Sequence, residues 1–182
     1  MHVIDADDVL EFWFEEIEPA QWWVKNIALD TAIEKRFAST HKAAARGELE
    51  SWRLQPAGRL AEIIVLDQFS RNIYRDSPLA FAFDACALVL AQKALRIQAD
   101  EQVQVERRAF FYMPYMHSES AVIHQQAVEL FSRLGAEHNY AFELQHKAII
   151  DRFGRYPHRN AILDRKSTTE EIEFLKQPGS SF

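Results

Sequence analysis

Apolar residues recur along this chain at intervals of three and four, the period of helices that bury one face. The spacing predicts a first helix over Asp5 to Glu16, with acids at its start and Phe12, Trp13 and Phe14 as an aromatic plug. Pro19 ends it, and Trp22 and Trp23 anchor an irregular link. Leu29, Ile33, Phe37 and Ala44 share the next stripe, with Gly47 as its C-terminal cap. Pro56 opens a helix to about Asn72, whose stripe Leu60, Ile64, Asp67, Arg71 starts apolar and turns ionic.

Ser77 and Pro78 predict the cap and first turn of a helix reaching Ile97. Its alanines at 80, 82, 85, 87 and 91 let neighbours approach, which marks it as the central helix. Asp100 caps a helix to about Met113, Pro114 breaks it, and another runs from Ser118 to Leu134 on the stripe Ile123, Ala127, Leu130, Leu134. Asn139 to Phe153 follows and stops at Gly154; residues 154–166 lack a period and read as a long polar loop. Ser167 and Glu170 have capping-box spacing for a last short helix, ended by Pro178 and Gly179. No strand pattern emerges. The fold class is all-α: a single domain over 1–182, with its core over 5–175 and a tail at 177–182, built from seven to nine antiparallel helices as a bundle or as stacked helical hairpins.

Composition supports that fold and removes several function classes. A chain of 182 residues with 48% hydrophobic content fills one core without disulfide or metal support. The net charge of −6 argues against nucleic acid, which needs a basic face. Cys86 is the single cysteine, set in an apolar helix, so it reads as a buried, inert thiol and excludes disulfides and thiolate metal sites. The most apolar stretch, Leu79 to Ala91, reads as too short for a bilayer and is interrupted by Asp84; with no signal peptide, a cytoplasmic protein without membrane partners is expected. Glycine-rich phosphate loops, H-E-x-x-H and G-x-S-x-G are missing, so no cofactor is expected.

Three polar segments interrupt the apolar stripes. In Leu66 to Arg75, Asp67 and Arg71 stand four apart on one face, either as a structural pair or as part of a site. In Phe110 to Glu119, the proline presents His117 at a helix junction as an acid, base or ligand, with Glu119 beside it as a partner or as a first-turn dipole acid. In Arg152 to Asn160, Arg155, His158, Arg159 and Asn160 stand in a loop long enough to be functional. His146 shares a stripe with Phe142, Ile149 and Phe153, as core residue or ligand contact; His124, on a stripe with Ala127 and Phe131, is a weaker case, and His2, His41 and His138 have no context. No pair has diagnostic metal-ligand spacing, so no metal site is assigned. Arginine outnumbers lysine fourteen to seven, and its planar fork suits carboxylates and phosphates.

In the strings V-L-E-F-W-F at 9–14, L-D-Q-F-S-R-N-I-Y-R at 66–75, M-P-Y-M-H-S-E at 113–119, R-F-G-R-Y-P-H-R-N at 152–160 and R-K-S-T-T-E-E at 165–171, the chain resembles an uncharacterised family catalogued as domain of unknown function 924. The resemblance implies a helical fold similar to tetratricopeptide-repeat proteins, with no established activity. Asn26 stands where that family leads one to expect an acid, and Asp164 where it leads one to expect glycine.

Two readings follow. In the first, Asp67, Arg71, His117, Glu119, His158, Arg159 and Asn160 converge on a small anionic metabolite, with His117 or His158 moving a proton and Asp67 or Glu119 orienting it. Arg155 and His146 would add ligand contacts. In the second, stacked helices present a groove to a peptide or protein partner without catalysis.

Overall fold

The computed structural model of the chain describes residues 3–181, so His2 and the last residue of the expected tail lie outside the described residues. Those residues form nine α-helices joined by 3-10 and π turns, with no strand among them. The chain is all-α, as its periodicity requires. Two compact units make it up. One holds the chain up to Arg75 together with Leu79–Pro114; the other holds Asp76–Pro78 and the chain from Tyr115 onward.

In the first unit, α1 (Ala6–Glu11) starts at Asp5, whose side chain accepts the Asp8 amide at 3.1 Å, and runs on as a π turn, Phe12–Glu16. A 3-10 turn, Pro19–Trp23, leads into α2 (Ile27–Ala45). The Asn26 side chain caps α2 by accepting from the Ala28 and Leu29 amides, so an amide oxygen does there what a carboxylate would do. Next come α3 (Pro56–Ile64), a π turn over Val65–Phe69, and α4 (Ser70–Ile73) as one continuous helical run. Leu60, Ala61, Ile63, Ile64, Val65, Leu66 and Phe69 are wholly buried along it. Burying a side chain of that size contributes on the order of 1.5–3 kcal/mol relative to leaving it exposed. Phe12 and Phe37 pack against each other and against Phe69 of the run with their rings tilted or edge-on, and Trp13 meets Phe69 and Phe110 edge to face.

The central helix is therefore α3, not the alanine-rich segment. That segment begins as a 3-10 turn, Pro78–Ala80, and becomes α5 (Asp84–Arg96) only at Asp84, later than its serine–proline start predicts. Ala87, Ala91 and Ala94 face α3, whereas Val89 and Cys86 are exposed, so the thiol is not the buried one expected. Small side chains allow close approach, but only on the face that meets a neighbour. Taken with its flanks, Pro78–Arg96 has the length and mean hydropathy, 1.4, of a membrane-crossing helix, which the shorter stretch 79–91 does not suggest.

α6 (Val105–Met116) carries Pro114 inside it. The proline gives up one backbone hydrogen bond, yet the helix continues, so His117 follows the end of α6 and does not open the next helix.

In the second unit, α7 (Ala121–Leu134) and α8 (Glu137–Phe153) form an antiparallel hairpin through a two-residue link. The face of α7 that is buried is His124, Ala127, Phe131, while Ile123, Leu130 and Leu134 are half-buried. α8 buries Glu143, His146, Ile149 and Ile150. Gly154 ends α8 at φ +68°, a left-handed conformation that glycine adopts without a Cβ clash, and turns the chain into the loop. The loop is ordered by a 3-10 turn, Pro157–Arg159, and leads to α9 (Thr169–Phe174). Thr168 and Glu171 form the capping box, one residue beyond the Ser167 and Glu170 spacing.

Candidate functional site

Sequence reasoning singled out residues that fall in both units, and each unit builds its own polar cluster. In the first, the π turn leaves Val65 through Phe69 all buried, so Asp67 enters the interior, only 1% exposed. Gln68 Nε2 donates to Asp67 Oδ2 at 2.6 Å. The Arg71 guanidinium donates to the Asp67 carbonyl at 2.6 Å and lies 3.3 Å from its carboxylate. The same guanidinium holds Asp84 with two bonds of 3.0 Å. One turn later, Arg75 and Asn72 both donate to Asp30. This is a chain of matched charges, the arrangement that a buried ion requires.

Beside it, His41 Nε2 meets Ser70 Oγ at 2.7 Å, and Ser70 donates to the Leu66 carbonyl. Burial lowers His41 to about 4, so it stays neutral at physiological pH. Its Nδ1 is buried with no hydrogen-bond partner, and no carboxylate orients the ring. A serine–histidine pair without that third group is a packed polar contact and lacks the orientation of an activated nucleophile.

In the second unit, the loop after α8 wraps around Tyr156, which is fully buried. Its hydroxyl donates to the Met116 carbonyl at 2.5 Å and lies 3.1 Å from His124 Nε2. Its backbone amide donates to Glu119 at 2.8 Å, and its carbonyl accepts from Arg165. The Arg159 guanidinium sits 4.5 Å above its ring centroid, and the His146 and His158 rings lie 5.8 and 5.6 Å from it.

His146 Nδ1 donates to the Phe142 carbonyl, which leaves Nε2 as an acceptor. Burial lowers its pKa to about 3; the Phe142 bond opposes this, while His117, His124 and His158, all within electrostatic reach, add to it. Four imidazoles thus share one neighbourhood.

The carboxylates beside this cluster are committed. Burial raises Glu119, but two bonds from Arg165 at 2.6 and 2.9 Å, the Tyr156 amide and the nearby Arg159 outweigh it and hold the carboxyl below its usual range. A carboxylate bound by three donors braces the loop and is poorly placed for acid–base work. Arg155 grips Glu171 with two bonds and holds its pKa down at about 2. Asn160 accepts from Arg165 and donates to Ser167, so it positions those two residues. Asp164, where glycine was expected, takes φ +51°, the left-handed conformation that favours glycine.

Sequence reasoning ranked His124 as a weaker case and passed over Glu143. His124 Nδ1 meets Glu143 Oε1 at 2.7 Å with both side chains fully buried. Burial raises the Glu143 carboxyl, opposed in part by His124 and Lys147. A signal was present: each helix of a close hairpin places an ionisable residue on its apolar stripe.

A model of a family of bacterial proteins of unknown function, DUF924, matches residues 9–179. The chain belongs to that family. A solved structure of a protein of unknown function from Agrobacterium tumefaciens is 38% identical to it over 94% of this chain and 96% of that one, with a TM-score of 0.90. No curated protein matches. Among the described residues of this DUF924 member, no group of three or more histidine, cysteine or acidic side chains is arranged to hold a metal ion.

Proposed function

We propose that this DUF924 member is a cytoplasmic protein that binds a small anionic metabolite, a carboxylate or a phosphate, at the cluster around Tyr156. The observation that carries the reading is a gathering of guanidinium and imidazole groups around one ring. Arg155 and Arg165 answer Glu171 and Glu119, and Arg159 adds a third guanidinium beside His146 and His158. Guanidiniums gathered in this way with imidazoles, Arg159 being 5% exposed, suit an anion better than a cation or a neutral ligand.

Arg159 is the ligand's counter-charge in this reading, with His117 and His158 as hydrogen-bond donors or proton carriers. His146, neutral down to about pH 3, serves as an acceptor for a ligand hydroxyl. Any chemistry here is an acid–base step. Asp67 and Arg71 serve the first unit's ion-pair chain, and Glu119, Arg155 and Asn160 hold the loop.

Calorimetry against phosphorylated and carboxylated metabolites tests this. A binder is expected that loses about 10- to 100-fold in affinity in Arg159→Ala, the scale of a charge-assisted hydrogen bond. A broad set without a binder, or a binder indifferent to Arg159 and His158, refutes it.

A second reading, a helical scaffold for a protein partner with hairpins stacked as in tetratricopeptide-repeat folds, has its own observation. Trp23, Val24 and Ile27 expose 52%, 61% and 74% of their surface next to one another. Trp23 is stacked flat on Phe110, so it is a pre-set anchor of the sort that dominates interfaces. Capture of one stoichiometric partner, lost in Trp23→Ser, supports this reading.

A further inference from the structure

A groove of about 360 Å³ lies in the second unit beside the last turns of α8, α9 and the turn at Pro178. Ligand sites span roughly 300–1,000 Å³, so the volume suits a small molecule. Ala148, Ile149, Phe153, Phe174 and Pro178 line it as an apolar surface, and Arg152 supplies its charge. The floor is firm. The Phe153 and Phe174 rings pack 5.0 Å apart, and both lie against the buried core of Ile149, Ile150 and Tyr156.

Arg152 is held ready. Its guanidinium spreads over the Phe153 ring at 4.7 Å and the Phe174 ring at 5.8 Å, which fixes it at the edge of the apolar surface. Its carboxylate partner is Glu170, at 2.8 Å, and the two side chains are 48% and 62% exposed. A water-exposed pair of that kind is weak, so a carboxylate that also buries an apolar tail can displace Glu170.

We propose that this groove binds a small carboxylic acid with an unbranched apolar tail, independently of the anion site around Tyr156. The carboxylate takes two of the guanidinium nitrogens of Arg152 in the fork geometry that arginine favours, and the tail lies on Phe153, Phe174 and Ile149. Charge complementarity selects the head group, and the apolar lining selects the tail.

Calorimetry with octanoate, octylamine and octanol tests the assignment on the full chain. Octanoate is expected to bind and octylamine to fail. Arg152→Ala should weaken octanoate by about 10- to 100-fold, with Arg152→Lys intermediate. Glu170→Gln should tighten it by about 2- to 5-fold, because it removes the competing carboxylate. Ala148→Phe, at an exposed position, should fill the groove and abolish binding while leaving thermal stability unchanged. Equal binding of octanoate and octylamine, or octanoate binding that survives both Arg152→Ala and Ala148→Phe, overturns the proposal. Loss of octanoate in Arg159→Ala but not in Arg152→Ala also overturns it, and places the ligand at Tyr156 instead.

Discussion

His124 and Glu143 face each other across the α7–α8 hairpin at 2.7 Å, and neither side chain reaches solvent. His124 Nε2 lies 2.8 Å from the Ser118 carbonyl, which only accepts, so that nitrogen carries a hydrogen and one proton is shared between Nδ1 and Glu143 Oε1. The second Glu143 oxygen is buried without a partner. Removing one member therefore strands the other: His124→Leu and Glu143→Leu should each cost about 3–5 kcal/mol. The double variant should cost less than the sum of the two, because neither member of the pair is left buried without the other. Urea denaturation of the four proteins checks this, and additive costs would refute it.

Acid should weaken the fold well before its carboxylates titrate. Burial holds His41 and His146 near 4 and 3, against about 6.5 in an unfolded chain. Below pH 6.5 the unfolded chain takes up protons that the folded one refuses, so each histidine removes about 1.4 kcal/mol per pH unit until its folded value is reached. Glu171, depressed by Arg155, adds a loss below its unfolded value, whereas the raised Glu143 carboxyl favours the folded state in acid. Stability measured from pH 7 to 5 should fall, and the slope should flatten in His146→Gln.

Gly58 admits no side chain. A Cβ there would stand 2.1 Å from the Trp52 carbonyl oxygen, a backbone atom that cannot rotate away. Gly58→Ala should destabilise by about 2–3 kcal/mol or more, even though alanine is the better helix former. Thermal unfolding that matches the parent would mean that the Glu50–Leu54 turn shifts freely.

Asp164→Gly should act in the opposite direction. An L-residue at φ +51° carries backbone strain, eased for aspartate but not removed. Glycine should raise stability by about 0.5–1 kcal/mol, read as a higher midpoint in urea. No gain would mean that the larger freedom of unfolded glycine cancels the relief.

Tyr156→Phe removes one hydroxyl from the centre of the second unit. The Met116 carbonyl loses its donor, and the contact with His124 goes with it. A buried acceptor left bare costs about 1–3 kcal/mol, measurable by denaturation. A change below about 0.5 kcal/mol would show that neither contact matters.

Much of the helical order was legible before any coordinates. The run from Pro56 was predicted to within a residue or two at each end, since proline starts helices and the stripe persisted. A period of 3.6 cannot anticipate a π turn, which buries Asp67 and Gln68 side by side. Pro114 looked like a break, but one lost hydrogen bond does not end a helix that is packed on both sides of it. Of the predicted site residues, Arg159, His158 and His146 surround Tyr156, a residue that the sequence shows only as part of the string at 152–160.

By itself the sequence determined that the chain is helical, that its polar residues interrupt apolar stripes at three segments, and that it belongs among the DUF924 proteins. These follow from local spacing and from long strings of residues, which need no partner to be recognised. Only the tertiary structure decided which arginine meets which acid, that His124 and Glu143 share a proton, and that Arg152 edges an apolar groove. Such pairings join residues far apart in the chain, and their register is set by how helices pack, which no local period records.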